Sequence, residues 1–247
     1  MILFDRVSFC YDANQETSFI LKEVSFSLSK GVINGLIGVN GCGKSTIARL
    51  IVGLLKPSDG KISFEHENEE SSPYYFSGMI FQNPDNQIVG TTIGDDIAFG
   101  LENLNLPTEN IQQIVEKSAS LFGFENMLDM PVAKLSGGQK QMLCIASVLA
   151  LEPSWIVFDE PTSHLDPWAR IEFWNIINFL VSHSNVGIIV ISQLPEDINR
   201  FQNIMVLNEG NIYFNGSKDN FKSLELLPEG IDFPEGWKFE RIMNIRT

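Results

Sequence analysis

The sequence GVNGCGKST, residues 38–46, fits the pattern G-x-x-x-x-G-K-[ST] and lies between a strand-like run and a helix-like run, which indicates a phosphate-binding loop. Glycines at these positions let the backbone turn tightly, so that its N–H groups and the start of the next helix bind phosphate. Lys44 would then contact the β- and γ-phosphates, and the Ser45 hydroxyl would bind Mg²⁺. A chance glycine-rich turn also fits the pattern, but the surrounding strand and helix favour a phosphate-binding loop.

The apolar run in WIVFDEP, residues 155–161, ends on two carboxylates. Asp159 suits a Mg²⁺ contact through water. Glu160 suits a general base or an orienting group for the attacking water. We expect both carboxylates beside the γ-phosphate, on a strand that neighbours the phosphate-loop strand. Taken alone, the pair could be exposed carboxylates at the start of a loop, and the phosphate loop makes that interpretation the weaker one.

The rest of the chain predicts an α/β core that is interrupted by a mostly helical insert, residues 84–152. Short apolar runs at 155–159 and 187–191 are typical of parallel strands covered on both faces by helices. Two further strands are predicted near the start of the chain, and a hairpin is predicted to turn at residues 208–211. Within the insert we predict two helices, one with Thr108 as its N-cap and one opened by Ser136 and glycines.

Composition and charge exclude several classes of protein. The chain has 247 residues, 44% of them hydrophobic, and no apolar run of the roughly 20 residues that would span a bilayer. Asp5 and Arg6 interrupt the stretch where a signal peptide would be apolar, so a cytosolic location is expected.

The three cysteines are far apart, which argues against disulfides and a zinc site. A net charge of −14 disfavours nucleic acid and anionic lipid as partners. The acidic run at 65–70 is predicted to be a solvated turn.

The stretch LSGGQKQ, residues 135–141, is not required by a generic phosphate-loop fold. It resembles the signature of the ATP-binding-cassette (ABC) ATPases, and nearly the whole chain follows the motif order of that family. The resemblance implies a P-loop NTPase (RecA-like) core with an antiparallel β subdomain and an inserted α-helical subdomain. The expected organisation is one domain, 1–247, with a core at 1–83 and 153–225, a helical signature subdomain at 84–152 and a short tail at 226–247.

The same resemblance implies that two chains sandwich two ATP molecules, with the phosphate loop of one chain facing the signature of the other. Gln82 is similar to the family's glutamine that contacts Mg²⁺ and the attacking water. Asp166 lies in a stretch that, in the family, runs along the dimer interface.

The implied nucleotide contacts are Tyr11, Gly38, Asn40, Gly41, Cys42, Gly43, Lys44, Ser45 and Thr46. The implied Mg²⁺ contacts are Ser45, Gln82 and Asp159. The implied contacts to the partner's ATP are Ser136, Gly137, Gly138 and Gln139. Tyr11 is similar to the family's adenine-stacking residue, with an ordinary buried strand tyrosine as the alternative.

A narrower resemblance lies in residues 81–103, which are similar to the ATPases of energy-coupling-factor (ECF) importers for vitamins or metal ions. It implies three kinds of partner: a second ABC ATPase subunit, identical or different, a transmembrane coupling subunit and a substrate-binding membrane subunit. The chain would then be cytoplasmic and peripheral on the inner face of the cell membrane, without inserting into it. A soluble cassette ATPase acting on DNA or ribosomes, or an exporter, is disfavoured because the chain has no coiled coil, tandem cassette or spanning helix.

The stretch GIIVISQLPED, residues 187–197, departs from the family at Gln193, where the family has a histidine that contacts the γ-phosphate. Glutamine can donate a hydrogen bond, but it carries no positive charge and cannot shuttle a proton near neutral pH. Two hypotheses remain open. Either the site binds ATP and hydrolyses it slowly beside a competent second ATPase chain, or Gln193 is tolerated and Glu160 suffices.

Three further expectations concern single features. Cys42 replaces the usual serine at a helix start, where its thiol pKa is expected to be lowered and its reactivity raised. His164 is either an exposed loop histidine or an imidazole supplied across the dimer interface. In the tail, Phe233, Trp237 and Phe239 are expected to form the core of an aromatic patch for contact with a partner or for self contact.

Overall fold

The computed structural model describes residues 1–11, 19–64, 77–104 and 106–244, with side chains described as far as residue 240. The acidic run at 65–70 lies outside the described residues. The strands are β1 (Ile2–Phe9), β2 (Leu21–Leu28), β3 (Ile33–Ile37), β4 (Asp59–Phe64), β5 (Ser77–Ile80), β6 (Trp155–Asp159), β7 (Gly187–Ile191), β8 (Asn203–Asn208) and β9 (Asn211–Ser217). The α-helices are α1 (Lys44–Ile51), α2 (Ile93–Glu102), α3 (Thr108–Leu121), α4 (Gly137–Ala150), α5 (Pro167–His183), α6 (Pro195–Ile198), α7 (Lys218–Lys222) and α8 (Glu235–Asn244). In the part of the chain that the structure describes, none of the helices combines the length and apolar character needed to cross a membrane.

The central sheet forms the middle layer of the molecule. Within the described residues its strand order is β5-β6-β7-β3-β8-β9, parallel from β5 to β8 and antiparallel at β9. Successive residues of a strand point to opposite faces, so Ile189 packs into one hydrophobic core and Val190 into the other. The strands predicted at 155–159 and 187–191 are confirmed as buried parallel strands.

The strand that carries Asp159 and Glu160 does not neighbour the phosphate-loop strand β3, so that expectation is wrong. Strand β7 lies between β3 and β6. The carboxylates still reach the phosphate loop because α1, which starts in that loop, contacts β6. Carboxyl ends of parallel strands share one edge of a sheet, which is where ligands bind in such folds.

A smaller antiparallel sheet packs on the α1 side of the central sheet. Its order within the described residues is β2-β1-β4, and Phe4 stacks on Phe26 with ring centroids 4.2 Å apart. These side chains share a core with Ile47 of α1 and with Trp155 and Val157 of β6. Burying each phenylalanine stabilises the fold by about 1.5–3 kcal/mol. With helices on the other face, this arrangement confirms the predicted fold class.

Helices α2, α3 and α4 contact one another on the other side of the central sheet. Thr92 starts α2 with a capping box, in which its hydroxyl accepts from the Asp95 N–H and the Asp95 carboxylate accepts from the Thr92 N–H. The prediction that Thr108 caps α3 is wrong. Thr108 is already helical, and Pro107 is the capping residue, at φ −57° and ψ 141° without a side-chain bond.

The C-terminal region confirms one expectation and corrects another. Strands β8 and β9 pair as a hairpin that closes at Asn208 and Asn211, as predicted. Phe233 and Trp237 are only 9% and 8% exposed, because both pack on Phe221 of α7. Of the predicted aromatic patch, Phe239 alone is exposed, so the expectation of a three-residue contact surface is wrong.

Candidate nucleotide and catalytic site

The phosphate loop joins β3 to α1 with a backbone that few residues other than glycine adopt. Gly41 and Gly43 have φ of 80° and 110°, and a Cβ at Gly38 would lie 2.5 Å from the Leu207 carbonyl oxygen. Gly43 is the N-cap of α1 and offers no side-chain cap. The first N–H groups of α1 therefore remain available to an anion, and the helix dipole favours negative charge at this end.

Lys44 is 5% exposed and folds back over the phosphate loop. Its Nζ donates to the carbonyl oxygens of Gly38 and Val39 at 2.9 and 3.0 Å. A buried ammonium needs such acceptors because desolvating a charge is costly. The lysine thus places its positive charge inside the loop, where a bound phosphate would meet it.

Asp159 lies at the end of β6 beside the start of α1, close enough for the Ser45 side chain to influence its carboxyl group. Burial is the largest influence on its carboxyl group and raises the pKa above its ordinary value. The nearby charge of Glu160 adds to the rise in pKa, while Ser45, Lys44 and Arg49 oppose it. Two of the three residues predicted to contact Mg²⁺, Ser45 and Asp159, therefore lie close together.

Glu160 follows Asp159 in a left-handed conformation, with φ of 50°. Such a conformation costs of order 1–3 kcal/mol for a residue other than glycine and is often found at functional sites. One oxygen of its carboxylate accepts from Gln82 Nε2 at 3.1 Å, and the other accepts from Gln193 Nε2. Gln193 Nε2 also donates to the Asn40 side chain of the phosphate loop at 2.6 Å. The two predicted glutamines thus flank Glu160.

Tyr11 lies just beyond β1 and is 60% exposed, which excludes the alternative of an ordinary buried strand tyrosine. Its ring meets Phe9 edge-on with centroids 4.9 Å apart. Its hydroxyl lies 3.4 Å from the Thr46 hydroxyl and 3.5 Å from Arg49 Nη1. One face of an aromatic ring is therefore available beside the phosphate loop.

Tyr11, Glu160 and the phosphate-loop residues from Asn40 to Thr46 other than Cys42 line a cavity of about 240 Å³. Larger cavities of about 470 and 530 Å³ lie among α3, α4 and α5, and their linings are mostly apolar. Size alone therefore does not locate the site. The smaller cavity is the one where phosphate-binding and acid–base groups converge.

Cys42 contradicts the expectation of a lowered thiol pKa. The side chain is 5% exposed, and burial raises its pKa above the ordinary value despite the nearby Lys44 and the backbone N–H groups. The thiolate is the reactive species, so burial protects this thiol from modification.

The signature residues begin α4, as predicted, and Ser136 is its N-cap. The Ser136 hydroxyl accepts from the Gln139 N–H at 3.2 Å, and the Gln139 side chain accepts from the Ser136 N–H at 2.9 Å. The capping box does not use the N–H groups of Gly137 and Gly138, and an α-helix offers no internal acceptor for N–H groups at its start. Gly137 is exposed, and a Cβ there would meet nothing within 4 Å.

Asp166 and His164 lie in the loop before α5, away from the residues that line the phosphate-loop cavity. The Asp166 carboxylate caps α5 by accepting from the N–H groups of Trp168 and Ala169 at 2.9 and 3.0 Å. His164 is exposed, in agreement with a loop histidine. A contact of either side chain with a second chain stays a prediction.

Sequence reasoning missed Asp197, a carboxylate that is 1% exposed and lies behind Glu160 and Gln193. It accepts hydrogen bonds from Thr162, Ser192 and Trp174. No motif marks it, because an aspartate in a short polar segment is usually exposed.

Among the described residues, His, Cys, Asp and Glu form no cluster of three or more that could hold a metal ion.

A phosphate loop, a buried lysine and a carboxylate held between two amides define a P-loop ATPase. The model of the family described as ABC transporter matches residues 21–163. The chain is 37% identical to the energy-coupling factor transporter ATP-binding protein EcfA1 of Staphylococcus aureus, over 100% of this chain and 93% of that protein. It is 36% identical to the protein of the same name from Caldanaerobacter subterraneus subsp. tengcongensis, over 95% of this chain and 88% of that protein.

A solved structure supports the same assignment. The cbiO1 protein of Clostridium perfringens, described as part of the ABC transporter complex cbiONQ, superposes with a TM-score of 0.83 at 27% identity, over 99% of this chain and 94% of that one. The chain therefore belongs to the ABC transporter family and is an ATPase of that family. The predicted resemblance to the ABC ATPases, with ECF-type proteins among its relatives, is confirmed.

Proposed function

We propose that the chain is the ATP-hydrolysing subunit of an ECF-type importer that takes up a vitamin or a metal ion. Whole-length similarity to ATP-binding proteins of energy-coupling factor transporters supports this function. The observation that carries the catalytic part is the position of Glu160, which faces the phosphate-loop cavity between two amide donors. A carboxylate at that point can accept a proton from a water that attacks a bound γ-phosphate.

Binding of ATP begins with the phosphate loop and Lys44. The ammonium exchanges its bonds to the Gly38 and Val39 carbonyls for the β- and γ-phosphates. Charge-assisted bonds of this kind are stronger than the neutral ones they replace. The exposed ring of Tyr11 stacks on adenine, so that the nucleotide spans the cavity from Tyr11 to Glu160.

The residues predicted for Mg²⁺ fit that ion by the chemistry of their donor atoms. Ser45 offers a hydroxyl oxygen, Gln82 an amide oxygen and Asp159 a carboxylate that lies near Ser45. Mg²⁺ prefers oxygen ligands and is usually held by one or two protein groups together with water and substrate phosphates. When bound there, the ion would offset the charge that develops on the phosphates.

Hydrolysis depends on how Glu160 is oriented. Gln82 fixes one carboxylate oxygen, so the other is left to the attacking water once Gln193 releases it. Removing an oriented general base typically costs about 10²–10⁴ in rate. The left-handed backbone at Glu160 keeps this orientation at the end of β6.

The second half of each site comes from a second ATPase chain, identical to this one or different. Gly137 and Gly138 present free N–H groups at a helix start, an arrangement that attracts the γ-phosphate of a partner's ATP. Ser136 and Gln139 hold that helix start in place, and the loop before Asp166 lies beside it at the dimer interface. ATP binding closes the dimer and hydrolysis reopens it, which is the motion that drives transport.

The importer further requires a transmembrane coupling subunit and a substrate-binding membrane subunit. We assign residues 84–152 as the helical subdomain that moves with Gln82, residues 1–83 and 153–225 as the nucleotide-binding core, and 226–247 as a tail within one domain. The chain would then work at the cytoplasmic face of the membrane, held there by protein partners without inserting into the bilayer. No role for nucleic acid is proposed, because the net charge is −14.

A second candidate function is favoured by the contacts of Gln193. Both oxygens of the Glu160 carboxylate are engaged by amides, so a water must displace one of them before it can be activated. A neutral amide also supplies less stabilisation to the charge that develops on the γ-phosphate than an imidazolium would. The chain would then be a nucleotide-gated subunit that binds ATP and leaves hydrolysis to a competent partner chain.

The steady-state Mg-ATPase rate separates the two candidates. We would compare the purified chain with Gln193→His, using Glu160→Gln as the inactive reference. A wild-type rate well above the reference, little changed by histidine, supports the first function. A wild-type rate near the reference, with a much faster histidine variant, supports the second.

The importer assignment has its own test, which is recovery of the tagged chain from solubilised native membranes. We expect it to co-purify with integral membrane subunits. Recovery from the soluble fraction alone would contradict the assignment.

A further inference from the structure

Asp197 is the one buried carboxylate among the described residues that bonds the segments following both β6 and β7. It lies on α6, four residues after Gln193, and is 1% exposed. Its Oδ2 accepts from Thr162 Oγ1 at 2.6 Å and from Ser192 Oγ at 2.7 Å, and its Oδ1 accepts from Trp174 Nε1 at 3.2 Å. Burying a carboxylate is costly unless it is well paired, and these donors offset that cost.

The first of these donors belongs to the segment that carries Glu160. Thr162 follows Glu160 by two residues and is itself 1% exposed. Arg170 Nη2 also donates to the Thr162 carbonyl oxygen at 3.3 Å, which fixes the segment from the α5 side. Movement of Thr162 would therefore move the backbone that sets the left-handed turn at Glu160.

The second donor belongs to the segment that carries Gln193. Ser192 precedes Gln193 directly, is 1% exposed and accepts from the Leu194 N–H at 3.1 Å in addition to its bond to Asp197. The Glu160 N–H donates to the Ile191 carbonyl oxygen at 3.0 Å, so the two segments also meet through the backbone. One carboxylate oxygen thus receives a hydroxyl from each segment.

We propose that Asp197 is a positioning residue for ATP hydrolysis, which holds the Glu160 segment and the Gln193 segment at a fixed separation. Its effect reaches the substrate only through those two side chains. The phosphate loop meets the Gln193 segment through Asn40, but it is also held by contacts of its own, among them the bonds of Lys44 to the Gly38 and Val39 carbonyls. Loss of Asp197 should therefore lower the rate of hydrolysis and leave ATP affinity nearly unchanged. This inference rests on the proposed role of Glu160 in hydrolysis.

Asp96 offers a matched control in the helical insert. It is also a buried carboxylate, 5% exposed, and accepts from the N–H groups of Val89 and Gly90 and from Ser147 Oγ. Asp96→Asn and Asp197→Asn keep the side-chain shape and disturb a similar set of donors. Both variants should lose stability, but only Asp197→Asn should affect Glu160 and Gln193 together.

The test measures two properties of the full chain for Asp197→Asn, Asp96→Asn, Thr162→Val and Ser192→Ala. The first is single-turnover hydrolysis of Mg-ATP with ATP affinity measured separately. We expect Asp197→Asn to lower the rate on the order of 10–100-fold, because small displacements of oriented groups have effects of that size. ATP affinity should stay within about twofold of wild type, and Asp96→Asn should keep the wild-type rate within the same factor.

The second property is amide hydrogen exchange of the segments 160–165 and 191–196, which does not depend on turnover. Asp197→Asn should accelerate exchange in both segments, Thr162→Val mainly in the first and Ser192→Ala mainly in the second. Exchange that is unchanged in either segment of Asp197→Asn would overturn the proposal, even in a chain that hydrolyses ATP slowly. So would a loss of ATP affinity equal to the loss of rate, or an equal loss of rate in Asp96→Asn.

Discussion

The phosphate-loop region and the signature region both begin helices, yet the two helix starts meet different surroundings. At the start of α1, Tyr11 and Glu160 line a cavity, Asp159 lies close by, and Lys44 is buried. The start of α4 is capped by its own residues Ser136 and Gln139, and a side chain at Gly137 would meet nothing within 4 Å. One region gathers its phosphate-binding groups within a single chain, whereas the other is a helix start with open space around it, which we propose faces the nucleotide of a second chain.

A negative charge at the open helix start of α4 should have the largest effect on hydrolysis. Gly137→Glu should leave the fold intact, because a side chain there meets nothing within 4 Å. It should repel the partner's γ-phosphate and lower hydrolysis by about 10²–10³, the usual cost of losing preorganised donors. Gly236→Glu is the matched control, since that glycine is exposed and also has open space around it. Unchanged hydrolysis in Gly137→Glu would show that α4 does not face a nucleotide.

The enclosed region is tested by Lys44→Ala. Removing the buried ammonium takes away charge-assisted bonds to phosphate, so ATP affinity should fall by about 10–100-fold. Fluorescence titration with an ATP analogue measures the change, and Lys56→Ala serves as the control because Lys56 lies outside the cavity. An affinity equal to wild type would mean that phosphate binds elsewhere.

The adenine end of the same pocket should respond less. Tyr11→Ala removes one aromatic face, which is worth about 0.5–1.5 kcal/mol, so ATP affinity should fall roughly 2–10-fold. Tyr213→Ala is a suitable control, since that ring is 48% exposed and its hydroxyl donates to the Leu226 carbonyl oxygen away from the cavity. An equal loss of ATP affinity in the two variants would show that Tyr11 does not contact the nucleotide.

The smallest expected effect concerns stability at Asp159. Burial raises the pKa of this carboxyl in the folded chain, so the folded state binds a proton more readily than the unfolded state. The free energy of unfolding should therefore fall as the pH rises from the unfolded pKa through the folded one, and the ionised group should destabilise the nucleotide-free chain at neutral pH.

Asp159→Asn should relieve that destabilisation and raise the Tm at pH 7.5, by about 2–4 °C for each kcal/mol of relief, while hydrolysis falls. Asp129→Asn, at an exposed position, is the control and should leave both unchanged. A Tm of Asp159→Asn that does not exceed wild type at this pH would contradict the argument from burial.

The sequence predicts the elements of the molecule better than it predicts their neighbours. The phosphate loop and the buried strand before Asp159 follow from local patterns, because glycine spacing and apolar runs restrict the backbone directly. The insertion of β7 between β3 and β6 is set by long-range packing, which no local pattern records. Cys42 shows the same limit, since its position at a helix start is local but its burial depends on the surrounding fold.

Contacts between side chains that are distant in the sequence are the hardest feature of the site to predict. The Gln193 bond to Glu160 joins residues 33 positions apart, and Asp197 joins segments that are distant in the sequence but adjacent in the sheet. The predicted N-cap of α3, Thr108, is wrong by one residue because Pro107 already adopts the extended backbone that an N-cap requires. The helix start at Ser136, in contrast, is confirmed because its capping box is local.

We expect Glu160 to activate the attacking water in a site that binds ATP even when this carboxylate is absent. The most direct measurement identifies the nucleotide retained by the wild-type chain and by Glu160→Gln after one incubation with Mg-ATP at high protein concentration. We predict equal nucleotide occupancy, with ADP in the wild type and unhydrolysed ATP in Glu160→Gln. The same nucleotide in both proteins, whether ADP or ATP, would contradict the account.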